Sequence, residues 1–69
     1  MNRTPVTSSN IAEIGYESGS MTLEVAFKSG GVYQYYDVPE TMYQSLMQAE
    51  SHGKFLNANI KGSYRDAKL

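Results

Sequence analysis

The chain has 69 residues, of which 41% are apolar, and its formal net charge at pH 7 is −1. This length supports one small domain with a single core, and it excludes a second domain or a cleft between two lobes. The absence of cysteine excludes a disulfide framework and a thiolate metal site. No apolar run approaches the roughly 18 residues that cross a bilayer, and no apolar stretch typical of a secretion signal follows the first residues. We therefore expect a cytoplasmic protein that does not contact a membrane.

The charged residues are distributed unevenly along the chain. Residues 1–53 contain two basic and six acidic side chains, whereas residues 54–69 contain four basic side chains and one acidic. An acidic body with a basic end suits an anionic partner for that end, but it also suits solubility alone. Because so few exposed charges produce a small field at physiological salt, the charge pattern by itself favours the second interpretation.

The first half of the chain shows the alternation of β-strands. Residues 1–9 are polar and are expected to form a flexible N-terminal arm. Alternating apolar and polar side chains over 10–17, 21–28 and 32–38 predict three strands. Short connections rich in serine and glycine separate them, so the strands should form an antiparallel meander.

After the third strand the spacing of apolar residues changes to that of a helix. The stripe over 42–49 predicts one amphipathic helix, and Asp37 with Glu40 three residues later matches a capping box at its start. A second, shorter helical stretch over 55–60 should end at Gly62. The predicted fold is α+β: a three-stranded antiparallel meander followed by two helices on one face, forming one domain over residues 10–69.

Four of the six tyrosines lie between residues 33 and 43, and the turn before them decides which are buried. A two-residue loop would turn Gln34 towards the core, where its amide needs partners. A three-residue Ser-Gly-Gly loop instead pairs Phe27 with Tyr33. We prefer the longer loop, which buries Tyr33 and Tyr35 and leaves Tyr36 on the open face of the sheet.

The groups that catalysis or metal binding would require are missing. His52 is the only histidine, and it lies in a connection between helices rather than beside a partner. No Ser/His/Asp order, carboxylate pair at helical spacing or metal-binding motif is present. Gly53-Lys54 matches the end of a phosphate loop, but Gln48 stands where the first glycine of that motif would be. We predict neither an enzyme nor a metal, and no small-molecule cofactor.

Several short motifs follow one another in an order that resembles one family. They are Ser8-Ser9-Asn10-Ile11, Ile14-Gly15-Tyr16, Gly30-Gly31-Val32-Tyr33-Gln34-Tyr35, Val38-Pro39 and Ser51-His52-Gly53-Lys54-Phe55, with Tyr64 near the end. Across about residues 6–69 the chain resembles the KTSC domain, which occurs as an extension of some lysyl-tRNA synthetases and as stand-alone bacterial and phage proteins. The resemblance implies a module of unestablished biochemical function, for which RNA binding is suggested by its attachment to a tRNA-handling enzyme.

Two binding hypotheses follow. The first is weak binding of RNA, such as tRNA, by the basic C-terminal helical segment; its candidate residues are Lys54, Asn57, Lys61, Tyr64, Arg65, Lys68 and His52. The alternative is a protein-interaction or accessory module that uses a strand edge or the open sheet face, with Tyr36, Ala26 and Val32. Only the family resemblance ranks RNA first. The oligomeric state stays open.

Overall fold

The computed structural model describes residues 1–69 and shows a five-stranded antiparallel sheet with a helical layer on one face. In chain order the elements are β1 (Arg3–Pro5), β2 (Ile11–Glu17), β3 (Thr22–Phe27), β4 (Val32–Tyr35), α1 (Glu40–Gln48), α2 (His52–Phe55), a π-helical turn (Leu56–Ile60) and β5 (Asp66–Lys68). The strands lie in sequence order, so the helical layer is a single excursion between β4 and β5. No helix combines the length and apolarity needed to cross a bilayer.

The three predicted strands are the centre of the sheet, and two short strands at its edges extend the predicted meander. The segment expected to be an N-terminal arm supplies β1, in which Arg3 lies opposite Gly15 of β2. The second helical stretch ends at Ile60, before Gly62 with its φ of 85°, as predicted. The basic segment after Gly62 is not helical, however: it contains β5, with Lys68 opposite Tyr33. A strand of three residues is too short to show an alternation of apolar and polar side chains, so the sequence pattern does not predict it. Such a strand forms because it pairs with a longer neighbouring strand.

The β3–β4 hairpin differs from the predicted register by two residues. Its loop is formed by residues 28–30, with Gly30 at a φ of 106°, and the Phe27 N–H donates to the Gly31 carbonyl at 2.8 Å. Tyr33 therefore lies opposite Val25 rather than Phe27. Because a shift of two residues preserves which face each side chain occupies, both tyrosines still face the helical layer. The predicted burial of Tyr35 is confirmed, with an exposed fraction of 2%, but Tyr33 is only half-buried, since it packs at the margin of the core.

The core lies between the helical layer and one face of the sheet. Its fully buried members are Ile11, Ile14, Leu23, Val25, Val38, Leu46, Leu56 and Ile60. Tyr16 extends this core: its ring stacks on Tyr43 with centroids 4.8 Å apart, and its hydroxyl donates to the Val38 carbonyl at 2.5 Å. The stripe predicted for the first helix thus packs as expected, with Leu46 at its centre.

The helix starts are specified differently from the prediction. Helix α1 begins after Pro39 and has no side-chain cap, so the predicted Asp37 cap is wrong. Asp37 adopts a φ of 59°, and its carboxylate accepts a hydrogen bond from Arg65 instead. The side chain that caps a helix is Ser51, whose Oγ accepts from the Lys54 N–H at 3.2 Å and starts α2.

Candidate functional site

A cleft of about 440 Å³ opens on the helical side of the sheet, between the π-helical turn, the β3–β4 hairpin and β5. Its walls are formed by Asn10, Phe27, Ser29, Tyr33, Tyr35, Asn57, Lys61 and Asp66. These residues come from every part of the chain, and the return of β5 beside β4 brings the last of them to the hairpin. The volume is in the range of small-ligand sites.

Aromatic rings form one wall of the cleft. Phe27 and Tyr33 pack edge to face, with ring centroids 5.7 Å apart and planes at 85°. Tyr35 is almost wholly buried, and its hydroxyl has no hydrogen-bond partner in the protein. Every fully buried side-chain polar atom of the protein has a partner, so the Tyr35 hydroxyl is accessible from the cleft that the residue lines. Burial, the Asp66 carboxylate and Tyr33 raise the pKa of Tyr35 above 10.0, so the hydroxyl keeps its proton at neutral pH and can donate.

Polar groups on the opposite walls are not used by the fold. Lys61 and Asp66 both line the cleft, but neither belongs to any of the three ion pairs of the protein. The Asn57 side chain is exposed and makes no hydrogen bond within the chain, and the Asn10 side chain accepts one from Ser8 while its Nδ2 stays free. The cleft therefore offers a cation, a carboxylate and amide groups to a ligand.

Four of the residues predicted to contact RNA lie in or beside this cleft. Asn57 and Lys61 are part of its lining. Lys54 precedes Asn57 by three residues, which makes the two side chains neighbours on a helical surface. Lys68 lies opposite Tyr33 in the β4–β5 pair. The fold thus gathers three lysines and one asparagine around the same opening.

The other three predicted residues are placed elsewhere. The His52 ring is half-buried, and its Nδ1 lies 2.9 Å from the Leu46 carbonyl oxygen, to which it donates. Tyr64 is half-buried against the core. Arg65 lies on the far side of the sheet, where it pairs with Asp37 at 3.3 Å. These side chains are engaged by the fold, and Arg65 is separated from the lysines by the sheet itself.

The open face of the sheet is crossed by a chain of polar side chains. Arg3 of β1 lies 3.2 Å from both Glu13 and Glu24, and Gln34 donates to Glu24 at 2.9 Å. The Tyr36 hydroxyl donates to Gln34 at 3.1 Å, so the chain links β1, β2, β3 and β4. Each of these strands contributes one polar side chain to the chain, from a position that the alternation turns towards this face.

The alternative interaction surface lies on this same face. Ala26 is only 8% exposed, Val32 is half-buried, and Tyr36 is engaged at the end of the polar chain with the Arg65 guanidinium 5.9 Å from its ring centre. Ala26 and Val32 lie opposite each other in the β3–β4 pair, but Gln34 separates them from Tyr36, so the three residues do not form one continuous apolar patch. The outer edges of β1 and β5 each lack a neighbouring strand within the chain.

Sequence reasoning missed several cleft residues, above all Asp66 and Asn10. Asp66 carries one signal, since it is the only acidic side chain in the basic C-terminal segment. The sequence signal for Asn10 is the glycine that faces it, because a Cβ on Gly53 would lie 2.6 Å from the Asn10 Oδ1. The Ser51-x-Gly53 motif thus has a structural basis, because Ser51 caps α2 and Gly53 leaves room for Asn10.

These features define a small α+β module, in which two short helices are inserted before the last strand of an antiparallel sheet. The KTSC domain model matches residues 7–64 of the chain. The crystal structure of a KTSC domain protein from Yersinia pestis is 43% identical, with a TM-score of 0.96 over 99% of this chain and 96% of that one. A protein from Tsukamurella paurometabola is 38% identical over 65 residues, which are 94% of this chain and 97% of the relative. The chain belongs to the KTSC domain family.

The same module also occurs in a much larger enzyme. A lysine–tRNA ligase from Trichormus variabilis is 41% identical over 59 residues, which are 86% of this chain but 10% of the ligase. A second ligase, from Nostoc punctiforme, is 38% identical over a stretch of the same length. The family therefore includes both stand-alone proteins and a short segment of lysine–tRNA ligases.

Proposed function

We propose that this protein is a small non-enzymatic module that binds RNA with unpaired bases weakly, through the cleft and the three lysines beside it. The observation that carries the proposal is the separation of unpaired from paired cations by the sheet. Lys54, Lys61 and Lys68 are exposed and have no carboxylate within ion-pair distance. Both arginines, in contrast, are paired with carboxylates on the open face.

This separation explains how a chain with a net charge of −1 could attract a polyanion. Phosphate contacts provide most of the affinity of nucleic-acid binding, and they depend on local cations rather than on the total charge. Glu13 and Glu24 lie on the open face and are partly neutralised by Arg3. The cleft side keeps its lysines free for phosphates, while aromatic and amide groups between them suit unpaired bases.

Two relatives support the same proposal. Both are lysine–tRNA ligases, whose name gives tRNA as their substrate, and the occurrence of the module in a tRNA-handling enzyme suggests RNA as its ligand. The matched segment is only 10% of the ligase, so the affinity expected of this module rests on the few contacts described above. Weak binding that depends strongly on salt is therefore the expected behaviour.

An NMR titration of ¹⁵N-labelled protein with tRNA and with a mixed-sequence single-stranded RNA tests the proposal. Three phosphate contacts on a single strand predict a slope of about −2 for log K against log salt. We expect shifts to cluster on residues 54–61 and 66–68 and to fade as salt rises. Binding that is unchanged in high salt would contradict the mechanism.

Two variants make the test specific to one side of the sheet. The change Lys61→Gln should weaken binding and flatten the salt slope by about 0.7. The control is Arg65→Gln, which removes one exposed positive charge from the other side and should leave RNA binding unaltered. Absence of any shift at low salt would retire the proposal and direct the search to protein partners at the edges of β1 and β5.

A further inference from the structure

The cleft contains an arrangement of polar groups that is more selective than phosphate binding requires. Tyr35 offers a hydroxyl donor from a ring that is 2% exposed, and that hydroxyl has no partner in the chain. Asp66 offers a carboxylate with no cation paired to it, in a site otherwise flanked by lysines. A carboxylate beside a phosphate-binding surface weakens binding of the backbone, so its presence suits recognition of another part of the ligand.

We propose that the cleft binds one unpaired guanine base of a nucleotide, with Asp66 accepting hydrogen bonds from its Watson–Crick edge and Tyr35 and Lys61 donating to its O6. An ionised carboxylate only accepts hydrogen bonds, and its two oxygens suit two adjacent donors. Among the four RNA bases, guanine alone presents two adjacent N–H donors, N1–H and N2–H, on that edge. The neighbouring O6 requires a donor, which both the phenol and the ammonium supply.

The aromatic wall suits a planar ligand. Phe27 and Tyr33 stand at 85° to each other, so a base that stacks on one ring meets the edge of the other. Stacking of this kind accepts every base, which leaves the choice of base to the hydrogen-bonding groups. The Asn57 amide and the free Nδ2 of Asn10 complete the rim.

This inference rests on the proposed function, because RNA would provide the guanine base. A free guanine nucleotide would make the same hydrogen bonds in the cleft. Calorimetric and NMR titrations with GMP, AMP, CMP and UMP measure the base preference alone. Titrations with a uridine heptamer and with the same heptamer carrying one central guanosine measure the effect of the chain. We expect GMP to bind about tenfold more tightly than the other three nucleotides, and one guanosine to raise the affinity of the heptamer by a similar factor.

Asp66→Asn separates base recognition from phosphate binding. The change replaces one of the two accepting carboxylate oxygens by an N–H donor, so the guanosine heptamer should bind more weakly. It also removes a negative charge beside the lysines, so the uridine heptamer should bind slightly more tightly. A loss of structure would weaken both. The matched control is Asp37→Asn, an exposed carboxylate on the far side of the sheet, which should leave the guanine preference intact. Tyr35→Phe removes only the hydroxyl and should lower the GMP affinity about threefold to tenfold.

The outcomes distinguish this inference from the proposed function. Salt-dependent binding of both heptamers with no guanine preference would overturn the guanine site and leave RNA binding in place. A GMP preference without tighter binding of the guanosine heptamer would support the site for free nucleotides and count against RNA. A preference that survives Asp66→Asn would also overturn the inference.

Discussion

Replacing Arg3 with alanine tests the polar chain on the open face, because a single guanidinium joins β1 to both β2 and β3. Its Nε lies 3.2 Å from Glu13 and its Nη1 lies 3.2 Å from Glu24. The Glu13 side chain is 40% exposed, and a pair of this kind contributes at most about 1 kcal/mol. The Glu24 side chain is 11% exposed, and a hydrogen bond to such a charged group contributes about 1.5–3 kcal/mol.

We expect Arg3→Ala to lower the free energy of unfolding by about 2 kcal/mol. The larger loss of about 3–5 kcal/mol that follows an unpaired buried charge is not expected, because Gln34 still donates to Glu24 at 2.9 Å. A domain of this size is stabilised by about 3–10 kcal/mol, so the loss is a substantial fraction. It corresponds to a fall in Tm of about 8–16 °C, measurable by thermal and urea unfolding followed by circular dichroism.

Lys28→Ala is the matched control, since Lys28 is an exposed cation next to β3 that forms no ion pair. Its effect should stay within about 0.5 kcal/mol. A double-mutant cycle with Glu24→Ala should give a coupling energy of about 1.5 kcal/mol. If Arg3→Ala is as stable as Lys28→Ala, the guanidinium does not fasten β1 to the sheet and the reasoning fails.

Two further predictions concern β2. A Cβ on Gly15 would lie 2.7 Å from the backbone oxygen of Asn2, so Gly15→Ala should displace β1 and lower the free energy of unfolding by about 1–3 kcal/mol. Protection from amide exchange should be lost in β1 alone, and retained protection would contradict the close approach. Tyr16→Phe removes the hydrogen bond to Val38 and should cost about 1 kcal/mol at neutral pH. Burial and then the Glu40 carboxylate raise the pKa of Tyr16 above 10.0. The unfolded phenol therefore ionises first, and this stabilisation is complete below about pH 10 and lost as pH rises towards the folded value. Urea titrations above pH 10 should show a smaller fall in stability for Tyr16→Phe than for the parent; equal falls would refute the assignment.

The long strands and the first helix could be predicted because their pattern is local. Alternation over 21–28 or a helical stripe over 42–49 decides which face is buried, whatever the neighbour is. The hairpin register could not be predicted to the residue, since loops over 28–30 and 29–31 both turn Tyr33 and Tyr35 towards the helical layer. The position of Gly30 in the left-handed region selects the first of these.

The candidate site was only half visible in the sequence. Basic and amide residues after Gly53 stood out by composition, and Asn57 and Lys61 do line the cleft. Asp66 and Asn10 were not predicted as site residues, because they reach the cleft only through the return of β5 beside β4 and the packing of α2 against the start of β2.

The alternating faces of the central strands and the amphipathic first helix follow from residues close together in the chain, and the order of short motifs over residues 6–69 indicates the family. Which cations are free, in contrast, depends on the folded arrangement. Arg3 and Arg65 have the same charge as the lysines, but they meet Glu24 and Asp37 across the sheet. Those contacts join positions far apart in the chain, and no local pattern encodes them.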